Sequence, residues 1–203
     1  MELVFATHNI NKLKEVQLLL PTHIKIWSLQ DIGCTEEIPE TAHTLEGNAG
    51  LKASFVRDRY GYDCFSDDTG LLVDALNGAP GVFSARYAGE QKNADDNIKK
   101  LLRELTGKTN RNAHFKTSIA LCGKQGDMLF NGTVQGTIAT EKKGEGGFGY
   151  DPVFTPNGYE KTFAELPLSI KNKISHRAMA MGQLLQYLLN LPYADTRNGL
   201  KKQ

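Results

Sequence analysis

Hydrophobic positions along the chain alternate between two periods, and the changes of period mark out its elements. Leu3 to Thr7 is a short apolar run that reads as a buried strand. From about Asn11 to Leu20 the spacing lengthens, so that Leu13, Val16 and Leu20 share one face of a helix that Pro21 stops. Ile24 to Ser28 alternates as a second strand, and residues 29–44 are irregular, with Glu36, Glu37 and Glu40 among them. A helix over about Leu45 to Arg59 would bury Ala49, Ala53 and Val56 and end at Gly61. Tyr62 to Ser66 reads as a strand running into the turn formers Asp67-Asp68-Thr69-Gly70, and Leu71 and Val73 then open another alternating segment.

Asn77-Gly78-Ala79-Pro80-Gly81 predicts a rigid turn. Asn93 is placed to cap a helix through Leu105, with Asp96 three residues on and Gly107 as its exit. Residues 112–140 predict a β-meander whose first hairpin is punctuated by Gly123 and Gly126. A glycine-rich loop, Gly144 to Tyr150, precedes a last helix over about His176 to Asn190. Ser175 caps that helix, Met181, Leu185 and Leu188 form its buried stripe, and Pro192 follows. Helices interleave with strands in the first half and strands run together in the second, which favours an α/β fold on a mixed sheet over a purely parallel one.

Composition narrows the function more than the fold. A length of 203 residues predicts one domain, 1–203, able to bury about 70% of its surface without disulfide or metal staples. With 24 basic and 23 acidic side chains the net charge is +1, which argues against a nucleic-acid partner. No apolar run is long enough for a membrane span, and MELVFATHNINK lacks the pattern of a secretory signal. The three widely spaced cysteines, Cys34, Cys64 and Cys122, predict neither a disulfide framework nor a zinc site, and a reduced, cytoplasmic setting.

Five segments carry candidate chemistry. Thr7-His8-Asn9-Ile10-Asn11-Lys12 lies at a strand-to-helix junction, where free N–H groups and Lys12 suit a phosphate; taken alone, the same residues read first as a helix cap by Asn9 or Asn11. The adjacent carboxylates of Asp67 and Asp68 repel on a tight turn, which a divalent metal would offset with Glu40 as a further ligand; a solvated turn is the alternative. Asn48 and Lys52 share a helix face that reads as a solvated polar face or, with other support, as a triphosphate contact. In Gly144-Glu145-Gly146-Gly147-Phe148-Gly149-Tyr150-Asp151, glycines admit a ligand, Phe148 can stack on a base and Asp151 can accept from its edge, unless Phe148 is tucked into the core. Lys171 and Ser175-His176-Arg177 put cations at a helix start, an unfavourable place that calls for an anionic or carbonyl-rich partner or for solvent. Taken together, these groups describe a nucleoside triphosphate with Mg²⁺.

THNINK, SDDTGL followed by ALNGAPGVFSARYAG, GEGGFGYDPVF and ISHRA, in that order between Thr7 and about Met181, resemble the signature segments of the Ham1-like inosine triphosphate pyrophosphatases. His8 and Ser66 depart from the usual Gly and Ala without removing a functional group. The resemblance implies an elongated, two-lobed α/β fold around a long central mixed sheet flanked by helices, with the active-site cleft between the lobes. It implies a homodimer, Mg²⁺, and cleavage of deaminated purine triphosphates (ITP, dITP, XTP) to monophosphate and pyrophosphate. By position, Asp68 would activate water and hold the metal with Glu40. Thr7, His8, Asn9, Ile10, Asn11, Lys12, Lys52, Thr69 and Lys171 would bind phosphates and sugar, and Phe148, Gly149, Tyr150, Asp151, His176 and Arg177 the base, with His176 and Arg177 donating to its 6-oxo group. A Maf-type pyrophosphatase is the neighbouring alternative, against which GGFGYD and SHR count. A nucleotide sensor without turnover is another, against which SDDTG, Glu40 and Lys12 count.

Overall fold

A computed structural model describes residues 1–124 and 126–191. Pro192 and the end of the expected 1–203 domain lie outside the described residues. The chain runs β1 (Glu2–Phe5), α1 (Ile10–Leu19), β2 (Lys25–Ser28), α2 (Leu45–Tyr60), β3 (Cys64–Val73), β4 (Pro80–Gly81), α3 (Ala94–Glu104), β5 (Asn112–Gly123), β6 (Gly126–Ile138), β7 (Phe154–Pro156), α4 (Leu168–Ile174) and α5 (His176–Leu189). The strands form one mixed sheet in the order β2-β1-β3-β5-β6-β7, with β4 on the free edge of β3. β1 lies parallel to β2 and β3, and the remaining pairs are antiparallel. The mixed α/β sheet expected from the pattern is therefore formed.

The local reasons are those the pattern offers. Asn9, Thr44, Asn93 and Ser175 each accept N–H bonds at a helix start, and Gly61 closes α2 in the left-handed region at φ 74°. Three apolar cores pack on the sheet. Val4, Cys64, Ala120 and Cys122 meet Ala49, Ala53 and Val56 of α2 on one face. Phe5, Phe65, Ile119 and Phe130 meet Val16 of α1 and Met181 and Leu184 of α5 on the other. At the far end of β3, Leu71 and Val73 join Ile98, Leu101, Phe154 and Phe163.

Three expectations need correction. Asp67 to Gly70 is not a turn: β3 runs unbroken for ten residues, paired with Ile119 to Lys116 of β5. The turn preference of Asp and Gly yields because β5 satisfies the backbone and because successive side chains leave on opposite faces, which separates the two carboxylates. The meander is one long hairpin, β5 with β6, and the third strand, β7, pairs with β6 only after the glycine-rich loop. Helix α4 is unannounced by any pattern, and Leu184, not Leu185, lies fully in the stripe of α5.

The sheet opens where the site forms. β1 pairs with β3 only at Cys64 and Phe65, and β4 only at Leu71 and Leu72, so the β3 edge between them carries no strand. On the opposite side, α5 sits so close to β6 that a Cβ on Gly132 would lie 2.0 Å from His176 O. We expect Gly132→Ala to push α5 away and cost about 2–3 kcal/mol, while Gly182→Ala, with nothing within 4 Å of the new methyl, gains up to about 1 kcal/mol. Urea unfolding of the two variants checks this, and equal stabilities would contradict the close approach.

Candidate active site

The gap along β3 opens into a cleft of about 910 Å³, within the range of small-molecule sites. Fifteen of the sixteen sequence-expected substrate and catalytic residues, and Glu40, line it or its floor; Ile10 is the exception, pointing to solvent at 66% exposure. The cleft borders two layers of charge, one on each face of β3.

On the α1 and α5 face, Asp67 is buried among cations. Arg177 Nε and Nη2 donate to its Oδ2 at 3.0 Å, and Lys12 Nζ lies 2.9 Å from its Oδ1. Burial alone would raise the carboxyl pKa, but Lys12 and Arg177 outweigh it and hold Asp67 well below the ordinary range. Glu15, on α1 and overlooked in the sequence, closes the network by accepting from Arg177 Nη1 at 2.5 Å and Lys171 Nζ at 2.7 Å. Lys171 also bonds Asp151, which in turn accepts from Phe148 N at 2.9 Å and shapes the glycine loop. Only its three-residue distance from Lys12 on α1 placed Glu15 on this side, and nothing in the pattern announced its burial.

These bonds revise several roles. Arg177 also donates to Thr69 Oγ1 at 3.1 Å, so four of its five N–H groups serve the protein and its anionic partners are Asp67 and Glu15. His176 is no cation: burial, with Arg177 and Lys171 nearby, holds its imidazole well below the usual value. It stacks 4.6 Å from Phe115, and its buried Nδ1 has no partner among the described residues. Tyr150 is core, its hydroxyl donating to Ser84 O at 2.9 Å. Phe148 is half-buried in the cleft wall and not in the core, with Lys171 Nζ 5.0 Å from its ring centre. At the start of α1, Thr7 Oγ1 takes the Asn9 N–H and Asn9 Oδ1 those of Asn11 and Lys12, so capping has claimed three donors expected to face a phosphate. His8 is exposed, its Nε2 3.0 Å from Glu36 O.

On the α2 face stands Asp68. Asn48 Nδ2 donates to its Oδ2 at 3.3 Å while Asn48 Oδ1 accepts from Ala42 N, so Asn48 orients the carboxylate rather than facing solvent. Lys52 Nζ lies 2.5 Å from Glu40 and 3.7 Å from Asp68. Burial raises the Asp68 pKa, Lys52 and Lys12 offsetting it only in part, so this carboxylate is a better base than a solvated one. Among the described residues no three His, Cys, Asp or Glu side chains gather as a metal cage. Two carboxylates sharing Lys52 fit instead an ion that takes one or two protein oxygens and completes its shell with phosphate and water.

Comparison with known proteins decides the lineage. The model of the Ham1 family matches residues 3–187. The chain belongs to the Ham1 family. It is 59% identical over 188 residues, 93% of this chain and 98% of the relative, to a dITP/XTP pyrophosphatase of Flavobacterium johnsoniae. It is 55% identical to one from Porphyromonas gingivalis over 93% and 97% of the two chains. The solved Ham1 protein of Staphylococcus aureus superposes with a TM-score of 0.86 at 38% identity, over 95% of this chain and 100% of that one. Family membership agrees with the sheet, helices and cleft described above.

A depressed histidine pKa makes stability rise with pH. Below about pH 6.5 the unfolded chain takes up a proton that folded His176 refuses, so its contribution is complete above that pH and lost as pH falls toward the folded value. In denaturant titrations between pH 7 and 5, His176→Phe should show a slope shallower than the parent by up to about 1.4 kcal/mol per pH unit. Identical slopes would contradict a neutral, buried imidazole.

Proposed function

We infer that the chain hydrolyses deaminated purine nucleoside triphosphates (ITP, dITP and XTP) to the monophosphate and pyrophosphate, clearing them from the nucleotide pool. The observation that carries the mechanism is Asp68, a buried carboxylate of raised basicity beside Lys52 and Glu40, in one cleft with Phe148. The base stacks on Phe148 over Lys171. Neutral His176 lines the cleft, and its buried, unpartnered Nδ1 is the atom that, as the Nδ1–H tautomer, donates to a 6-oxo group. A 6-amino group offers a donor there and leaves that N–H unpaired, a mismatch able to discriminate by ~10⁴-fold. Arg177 supplies at most its one uncommitted N–H, and its main task is to hold Asp67 and Glu15.

At the other end Lys12 and Lys52 neutralise phosphate oxygens, and Thr7 to Lys12 line the phosphate path. Asp68, oriented by Asn48, accepts a proton from water as the water oxygen bonds to the α-phosphorus; the bond from that phosphorus to the bridging oxygen breaks, and its electrons leave with pyrophosphate. Asp68 and Glu40 would hold Mg²⁺, which when bound supplies Lewis-acid stabilisation of the phosphate charge. Such chemistry is mostly positioning and electrostatics. We read the chain as one domain acting as a cytoplasmic homodimer, on the strength of the family resemblance; no described helix is long and apolar enough to cross a membrane.

Turnover of a nucleotide panel with Mg²⁺, both products identified, tests the reading. Inosine and xanthosine triphosphates should be cleaved far faster than adenosine, guanosine and pyrimidine triphosphates, to monophosphate and pyrophosphate. Asp68→Asn should lower kcat by ~10²-fold or more without loss of stability, since burial already disfavours the charge. Wild-type turnover in that variant would remove Asp68 from the chemistry, and nucleotide binding with no product would make the protein a sensor.

A further inference from the structure

The segment ALNGAPGVFSARYAG has no part in the chemistry above, yet it delivers a cation to the cleft. Arg86 ends the 3-10 turn Ser84–Arg86 that follows β4, and its side chain is 19% exposed. That turn is pinned from several sides. Ser84 Oγ accepts from Leu71 N at 2.9 Å and donates to Gly81 O at 2.6 Å, Ser84 O accepts from Tyr150, and Ala85 O accepts from Asn97 Nδ2 at 2.9 Å. The guanidinium carbon lies 5.3 Å from the Phe83 ring centre, which fixes the reach of the side chain.

Arg86 is also the least committed of the partly buried cations around the cleft. Lys12, Lys52, Lys171 and Arg177 each have a carboxylate oxygen within 2.9 Å. Arg86 Nη1 lies 3.8 Å from Glu40 Oε2, too far for a hydrogen bond, and among the described residues it forms no other ion pair. Charges succeed one another along the cleft: Lys171 and Arg177 by Phe148, then Asp67 with Lys12, then Asp68, Lys52 and Glu40, with Arg86 beyond. A nucleotide with its base on Phe148 and its α-phosphorus at Asp68 would carry its remaining phosphates toward that last cation.

We propose that Arg86 binds the two terminal phosphates and stabilises pyrophosphate as it leaves. This rests on the triphosphate reading and adds to it a leaving-group residue from the turn that follows β4. When the bond between the α-phosphorus and the bridging oxygen breaks, its electron pair adds charge to the departing pyrophosphate. A planar guanidinium fork matches two phosphate oxygens at once, and no strong bond to Glu40 has to be given up first.

The test compares the parent with Arg86→Ala and with Arg86→Gln, which keeps the stem over Phe83 and removes the charge. Calorimetry measures affinity for inorganic pyrophosphate and, separately, for inosine monophosphate; steady-state kinetics gives kcat/KM for inosine triphosphate. Both variants should bind pyrophosphate about 10-fold more weakly or worse, bind the monophosphate within 2-fold of the parent, and lose ~10²-fold in kcat/KM. Unchanged pyrophosphate affinity, or equal losses for both products, would overturn the assignment. A parent enzyme that releases no pyrophosphate from inosine triphosphate would instead overturn the functional reading beneath it.

Discussion

The site depends on one buried ionic contact, Arg177 on Asp67, set in the middle of the sheet. Both side chains are at most 2% exposed, so neither charge is kept by solvent. Desolvating such a pair is costly, and the Coulomb gain offsets it only with good geometry and further bonds. The structure supplies them: Lys12 on the second Asp67 oxygen, Glu15 on Nη1, Thr69 on Nη2, and Lys171 joining Glu15 to Asp151. Five elements or loops meet in this network, namely α1, β3, the glycine loop, α4 and α5. Their meeting ties these elements together at one place, because removing any one charged member strands a buried charge.

The alternation of β3 then divides labour between neighbouring residues of like chemistry. Asp67 faces α1 and α5, holds its charge at any ordinary pH and is structural; Asp68 faces α2, has its pKa raised by burial and is the carboxylate we propose as the base. Two carboxylates pushed apart in pKa by their surroundings are a general means of separating such roles. Here the pleat of one strand is enough to do it. The edge left bare between β1 and β4 lets a ligand reach both layers, in the manner of sites at the carboxyl ends of parallel strands.

The periodic parts of the chain were legible: helices α1, α2, α3 and α5 fall within about two residues of their expected bounds, because their caps are written in Asn9, Gly61, Asn93 and Ser175. The middle of β3 was not, since Asp-Asp-Thr-Gly carries a turn signature that only the partner strand β5 and cations distant in sequence override. Which residues line the cleft was largely legible from the motifs; the contacts they make there were not. Whether Arg177 touches a ligand or a buried Glu15, whether His176 is charged, and which way Asn48 points depend on contacts between residues up to 162 positions apart. Arg86 lay in a segment already quoted and Glu15 three residues beyond another, but charge alone does not tell a solvated side chain from a buried one.

The central claim is that Asp68 directs water to the α-phosphorus, and isotope placement tests it most directly. Inosine triphosphate turned over in ¹⁸O-enriched water, with both products read by mass spectrometry, should carry the label in the monophosphate and none in the pyrophosphate. Label in the pyrophosphate would mean attack at the β-phosphorus, and would contradict the placement of the base, the phosphates and the leaving group together.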